Sequence, residues 1–395
     1  MTAPMEIRAR TRDMSEGPGA RPLTLLDRIY AMRDRLLAEP GFQRWVARFP
    51  LTRGFAKRKE RALFNIIAGF VHTQVLTACV RLGLLTVLRE GPSDVDTIAA
   101  RIGLTRDRTE RLLAAATSLE LVSRRAGGRY GLGDLGAAVA ATPAFETVIA
   151  HNTIFAADIA DPVRLLKQGH TDTRLSAFWA YAHSDAPQAL DPSAVDAYSE
   201  FMAASQALIA DDVLDAYPIA SHRSLLDVGG GDGTFLIAAA RRAPDLRLTL
   251  FDLPAVAARA TARLAAAGLA GRSRAVGGSF HADPLPDGAD VVTLIRVLLD
   301  HDDATALRIL GAARRALPSG GRLLVAETLA GAPEADAYFG FYLLAMGRGR
   351  ARSFAELARL LRMAGFGDVR QLRTFRPTLT SLISARATGT AVAEV

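Results

Sequence analysis

The chain of 395 residues is half apolar and carries a formal net charge of +7, long enough to bury a large core and divide into two domains. Its lone cysteine, Cys79, excludes an internal disulfide framework and any cysteine-based zinc site, so no metal is expected. No signal peptide and no apolar run approaching about 18 residues is read from the sequence, which predicts a soluble, cytoplasmic protein.

The basic residues are almost all arginine; Lys57, Lys59 and Lys167 are the only lysines. Two readings stand: a GC-rich genome, or attraction to an anionic membrane surface or nucleic acid. Residues 1–20 are polar and rich in Gly, Pro and Arg, and read as a disordered tail. Residues 21–150 read as a helical, winged-helix-like domain. It begins with an arm helix, Leu23–Leu37, ending before Pro40-Gly41. Trp45, Phe49 and Phe55 follow beside Arg53, Lys57, Arg58, Lys59 and Arg61. Aromatics among basic residues suit a membrane surface, and a solvated face over a packed arm predicts the same mixture.

Leu63–Leu88 reads as one long apolar helix that must bury all its faces, which invites a second copy of the chain. Cys79 within it reads as a buried structural thiol. Asp96–Arg101, Thr105–Leu119 and the hairpin Val122–Leu132 have the layout of a helix-turn-helix with a wing. A DNA-binding regulator is the rival class here. Thr105–Leu119, however, carries arginine only near its start (Arg106, Arg108 and Arg111), leaving little to read base edges, so a dimerisation module is preferred and no nucleic acid is expected.

Residues 151–215 read as a helical connector. Polar groups among aromatics, including His151, Phe155, Trp179 and His183, suit a substrate pocket, joined by Phe341 and Met346 from a later stretch. An ordinary helical core predicts much of the same mixture. From 216 onward strands and helices alternate. Strands are predicted at 224–228, 246–251, 272–277, 289–295 and 322–327, and Val369–Phe375 with Leu379–Ala385 as a closing hairpin. This is an α/β pattern, a doubly wound and mostly parallel sheet, whose ligands sit over the carboxyl ends of the strands.

Leu225–Phe235 reads as strand, glycine turn and helix: Leu-Leu-Asp-Val-Gly-Gly-Gly-Asp-Gly-Thr-Phe. Glycines at 229, 231 and 233 let the backbone close over a ligand and take positive φ. A dinucleotide turn needs G-x-G-x-x-G, but counting from Gly229 the third position is Thr234. Asp227 would also sit awkwardly beside a pyrophosphate. S-adenosylmethionine (SAM), with its ammonium and sulfonium, suits an acidic strand end. The next strand ends in Asp252-Leu253-Pro254, where a carboxylate can hold both ribose hydroxyls.

These stretches, with Leu317-Pro-Ser-Gly-Gly-Arg-Leu-Leu-Val-Ala-Glu327, resemble the SAM-dependent O-methyltransferases of the plant-type small-molecule family over about residues 60–385. Arg296-Val-Leu-Leu-Asp-His-Asp-Asp303 and Ala337–Ser353 further resemble the bacterial enzymes that methylate acyclic hydroxy-carotenoids, the hydroxyneurosporene and demethylspheroidene O-methyltransferases. The resemblance implies a Rossmann-like class I methyltransferase domain behind a dimerisation domain, a homodimer, and a small lipophilic substrate. It implies that Gly229, Gly231 and Asp252 hold SAM with Phe280 against the adenine. Asp227, Leu253, Ser279 and Arg296 complete the candidate cofactor set.

Two departures stand out. Ser279 occupies a position where the family often has aspartate. More consequentially, Leu299 falls where many members place a histidine that deprotonates a phenol, with His301 two residues on; Glu327 keeps one of the acids that flank that base. An aliphatic tertiary alcohol is far less acidic than a phenol, whose pKa is about 10, so imidazole deprotonation gains little for it. Such a site can rely on orienting the oxygen, with the proton leaving late to water, Asp300, His301 or His183. A phenolic or polyketide substrate with another base is the alternative within the enzyme class; a non-catalytic relative is the other reading of Leu299.

Overall fold

The computed structural model describes residues 24–169, 172–179, 192–280 and 282–389; the expected tail 1–20 and the candidate His183 lie outside them. Contacts divide the chain into two compact units, Met1–Gln74 and Val75–Val395.

In the first unit, helix Leu25–Ala38 starts at a capping box in which Thr24 and Asp27 satisfy each other's backbone N–H. Pro40 does not merely end this helix. It opens a second one, Pro40–Arg48, because a first-turn residue needs no N–H donor. Neither helix has a buried residue. Trp45 stacks between Phe42 at 5.9 Å and Phe49 at 5.1 Å.

The long apolar helix differs from its expected form. It runs Arg53–Arg81, is broken by Gly83 at φ 67°, and is followed by a separate helix, Leu84–Arg89. Only Thr77 and Cys79 of the long helix are buried, while Leu63, Phe64, Ile66, Ile67 and Phe70 are exposed. A helix apolar all round presents more apolar surface than one core can cover. The expectation of no membrane-length apolar segment is also corrected, since by length and composition this helix is apolar enough to cross a bilayer.

In the second unit, Val95–Ile102, Arg106–Ser118 and the antiparallel pair β1 (Val122–Arg124) and β2 (Tyr130–Leu132) form the winged layout. They close over Cys79, Leu84, Ile98 and Leu113. Burial pushes the Cys79 thiol up to about 11, so it is inert. Arg106 pairs with Asp96 and Glu110, and Arg111 with Asp107. Among the described residues the helices Asp134–Ala140, Pro143–Asp158, Pro162–Gln168, Arg174–Phe178 and Pro192–Ala216 follow.

Seven further strands make the main sheet: β3 (Ser224–Val228), β4 (Arg247–Asp252), β5 (Ser273–Gly277), β6 (Val291–Ile295), β7 (Arg322–Glu327), β8 (Phe366–Leu372) and β9 (Ser381–Ala387). Their order is β5-β4-β3-β6-β7-β9-β8, and β9 alone runs against the rest. Along β3, alternate side chains enter two cores, Leu226 and Val228 on one face and Leu225 on the other. Both faces are covered, as a parallel sheet requires. The closing hairpin begins three residues earlier on β8 than expected. Phe375, read as strand, is exposed in the connection, while Phe366 is buried.

Candidate active site

The turn after β3 takes the strained shape its glycines allow: Gly229, Gly231 and Gly233 have φ of 69°, 59° and 84°. A Cβ on Gly229 would lie 2.8 Å from a Val297 methyl, whereas Gly231 faces open space. Asp252, at the end of β4, accepts the Gly231 N–H at 2.8 Å and the Leu253 N–H at 2.7 Å. Asp227 is buried; one oxygen accepts the Thr293 hydroxyl at 2.6 Å and the other has no partner. Burial pushes Asp227 up to about 7, helped by the charge of Asp252, and pushes Asp252 up to about 6. Two carboxylates short of positive charge thus flank an open glycine cradle, which favours a cationic, hydroxyl-bearing ligand. Sequence reasoning missed Thr293, a buried threonine inside an apolar strand.

Beyond β5, the Ser279 N–H donates to Asp283 at 2.8 Å. Phe280 packs against the core and meets the His301 ring edge-on at 5.4 Å. The structure therefore brings together two candidates from separate loops.

After β6 the chain turns at Arg296, whose φ of 58° is rare for a side chain other than glycine. Its guanidinium donates to the Ser205 hydroxyl at 2.7 Å. Glu327, buried at the end of β7, accepts the N–H groups of Val297 at 3.1 Å and Leu298 at 2.7 Å through Oε1, while Oε2 has no partner. Burial and then the nearby Asp300 push Glu327 up to about 8. Burial likewise pushes Asp300 up to about 7, opposed by Arg296.

A clamp that the sequence did not reveal holds this loop from outside. Arg352 donates to the carbonyls of Leu298 and His301, both at 2.7 Å, and to Asp303 at 2.9 Å. Gly349 lets the backbone approach so closely that a Cβ there would stand 2.1 Å from the Leu299 carbonyl. Leu299 itself is only 9 % exposed and belongs to an apolar cluster with Phe155, Trp179, Tyr342 and Met346.

That cluster gathers the pocket candidates. His151 stacks on Phe201 at 3.9 Å and meets the Tyr342 hydroxyl at 2.9 Å. Trp179 donates to the same hydroxyl at 3.0 Å, and Tyr338 donates to Asn152 at 2.7 Å. Phe341 packs partly buried against the cluster, and Met346 is buried within it. Burial, and secondarily Arg296, lower His151 to about 4, so it is neutral at physiological pH. Tyr338 and Tyr342 were not foreseen; their four-residue spacing, which puts both on one helix face, was the available signal.

A doubly wound sheet with an acidic, glycine-lined crevice at its carboxyl edge defines a class I methyltransferase. Residues 157–367 match the O-methyltransferase domain, and residues 64–142 match the O-methyltransferase dimerisation domain. The demethylspheroidene O-methyltransferase of Cereibacter sphaeroides is 44% identical over 89% of this chain and 93% of its own. That of Rhodobacter capsulatus is 41% identical over 86% and 85%. Among solved structures, the SAH-bound methyltransferase CalO1 of calicheamicin biosynthesis superposes with a TM-score of 0.69 at 28% identity, covering 84% of this chain and 98% of its own. The chain belongs to the O-methyltransferase family and is a SAM-dependent enzyme.

Proposed function

We propose that this enzyme methylates a hydroxyl of an acyclic hydroxy-carotenoid, the substrate class of its demethylspheroidene relatives. The observation that carries this reading is Leu299: an apolar, buried side chain packs with Phe155, Trp179, Tyr342 and Met346 where the resemblance expects a phenol-deprotonating histidine. Such a wall suits a polyene and offers nothing to a phenolate.

The chain's residues fit SAM. Asp227 has an unpartnered buried oxygen for a cationic group, Asp252 bridges the turn at the ribose position, and Gly229 and Gly231 leave room for backbone approach. Leu253, Ser279, Phe280 and Arg296 complete that set. When bound, SAM supplies an electrophilic methyl group. The protein's part is to orient the alcohol oxygen, a contribution of roughly 7–11 kcal/mol in well-aligned systems, and to exclude water with Leu299, Phe155, Trp179, Phe341 and Met346. Asp300, part-ionised near neutrality, or His301 accepts the hydroxyl proton. Glu327 fixes the loop backbone that carries them. His151 is committed to Tyr342 and frames the pocket.

The dimerisation-domain match supports a homodimer through residues 64–142. A lipid-dissolved substrate places the working enzyme on the cytoplasmic side at a membrane surface. Pairing of Arg106 and Arg111 with acids on their own module argues against DNA as a partner. Product analysis after incubation with SAM and a panel of hydroxy-carotenoids and phenols tests the assignment. Methylation of the carotenoids is expected, and turnover of phenols alone would refute it.

A further inference from the structure

The charge of this protein is not spread over it. Residues 24–61 hold ten basic side chains and four acidic ones, +6 of the chain's +7. Residues 62–395 hold 34 of each sign, so the rest of the chain beyond this segment is neutral in sum. The same short segment exposes large apolar side chains: Trp45 is 54% exposed, and Leu25, Leu26, Tyr30, Leu51 and Phe55 are exposed with it. Its two helices bury nothing. Trp45 and Phe49 share one surface cleft with Arg44 and Arg48.

We propose that residues 24–61 are a docking surface for an anionic lipid bilayer. Aromatic rings at the headgroup level, with arginines reaching lipid phosphates, are the chemistry of interfacial helices. A second copy of the chain is disfavoured as the occupant. The matched dimerisation domain starts only at residue 64, and two segments of the same net charge repel. The inference rests on the carotenoid reading only for its purpose, delivery of the enzyme to a lipid-dissolved substrate; the surface itself needs no substrate to be tested.

Trp45 and Trp179 are the two tryptophans, and Trp179 is only 2% exposed, so a lipid-induced emission change reports Trp45. The full chain is mixed with phosphatidylcholine vesicles with or without about 30% phosphatidylglycerol. Expected are at least tenfold stronger co-sedimentation with the anionic vesicles, a blue shift of Trp45, and reversal by salt. Arg44→Glu with Arg48→Glu should lower that binding at least tenfold, and Trp45→Ala should remove the shift, with SAM affinity unchanged in both as a check on folding. Equal binding to both vesicle types, or binding untouched by the charge reversal, overturns the proposal. So does a Trp45 shift that grows with protein concentration in the absence of lipid, which would make the segment a self-association surface. Failure to methylate a detergent-dispersed carotenoid, with vesicle binding intact, would count against the substrate assignment and leave the docking surface standing.

Discussion

The hydroxyl of Tyr342 lies 2.9 Å from Nε2 of His151, although 191 positions separate the two residues. Trp179 can only donate to that hydroxyl, at 3.0 Å. The hydroxyl's own proton and its remaining lone pair both lie open to His151 Nε2, and the neutral imidazole serves as acceptor or donor according to its tautomer. One hydroxyl thus ties the helices Pro143–Asp158 and Pro333–Met346 to Trp179, the residue that caps Arg174–Phe178.

Tyr342→Phe takes from the buried His151 imidazole the hydroxyl it bonds and removes one bond of the Trp179 indole N–H. An unsatisfied buried group costs about 1–3 kcal/mol. Denaturant unfolding should show a loss in that range, with SAM affinity nearly unchanged. No loss of stability would mean the network carries nothing.

Asp252→Ala should weaken SAM binding at least tenfold by calorimetry, since hydrogen bonds to a charged acceptor are worth roughly 1.5–3 kcal/mol. Unchanged affinity would remove Asp252 from the cofactor site.

If orientation dominates catalysis, Asp300→Asn and His301→Gln should each lower turnover only modestly. A positioned general base contributes about 10²–10⁴-fold, and a single loss in that range would identify one and refute the orientation account. Leu299→His should leave carotenoid turnover no faster and weaken polyene binding. Acceleration of the carotenoid reaction would instead mark the leucine as a defect.

Asp227, Asp300 and Glu327 sit at about 7, 7 and 8 in the folded protein, above ordinary carboxylate values. The native state therefore binds more protons than the unfolded chain until those values are passed, and stability falls as pH rises through them. His151, lowered to about 4, acts oppositely below its unfolded value of about 6.5. The clean window is about pH 6.5 to 8.5. The thermal midpoint of the SAM-free protein should drop across it, and Glu327→Gln should flatten the drop. A midpoint that rises through this window would contradict the burial of these acids.

The local parts of this architecture were legible. β3 and β7 span the residues predicted for them, 224–228 and 322–327, because glycine follows the first and precedes the second. The positive φ of the 229–233 turn follows from its glycines. Contacts between distant positions were not legible. Arg352 reaches back 54 positions to the Leu298 carbonyl, and Glu327 reaches back 29 to the Leu298 N–H. No spacing encodes such pairs, since the sheet order alone brings them together. The Arg53–Arg81 helix misled for a different reason. Hydrophobicity measures the tendency to leave water, and does not say whether a core, a second copy or a lipid surface receives the side chain.

β9, the last strand among the described residues, lies inside the sheet, between β7 and β8. Its Ser381 is registered against Glu327, the acid that holds the Val297–Leu298 backbone. On the ribosome, β3 to β7 can emerge and pair while β7 still has an open edge beside that acid. The edge closes only when residues 381–387 leave the exit tunnel, so β7 waits for a strand made more than fifty residues later. A chain that stops short of β9 has an exposed strand edge next to that loop and becomes a template for aggregation. Incomplete translation products of this enzyme should therefore be insoluble as well as inactive.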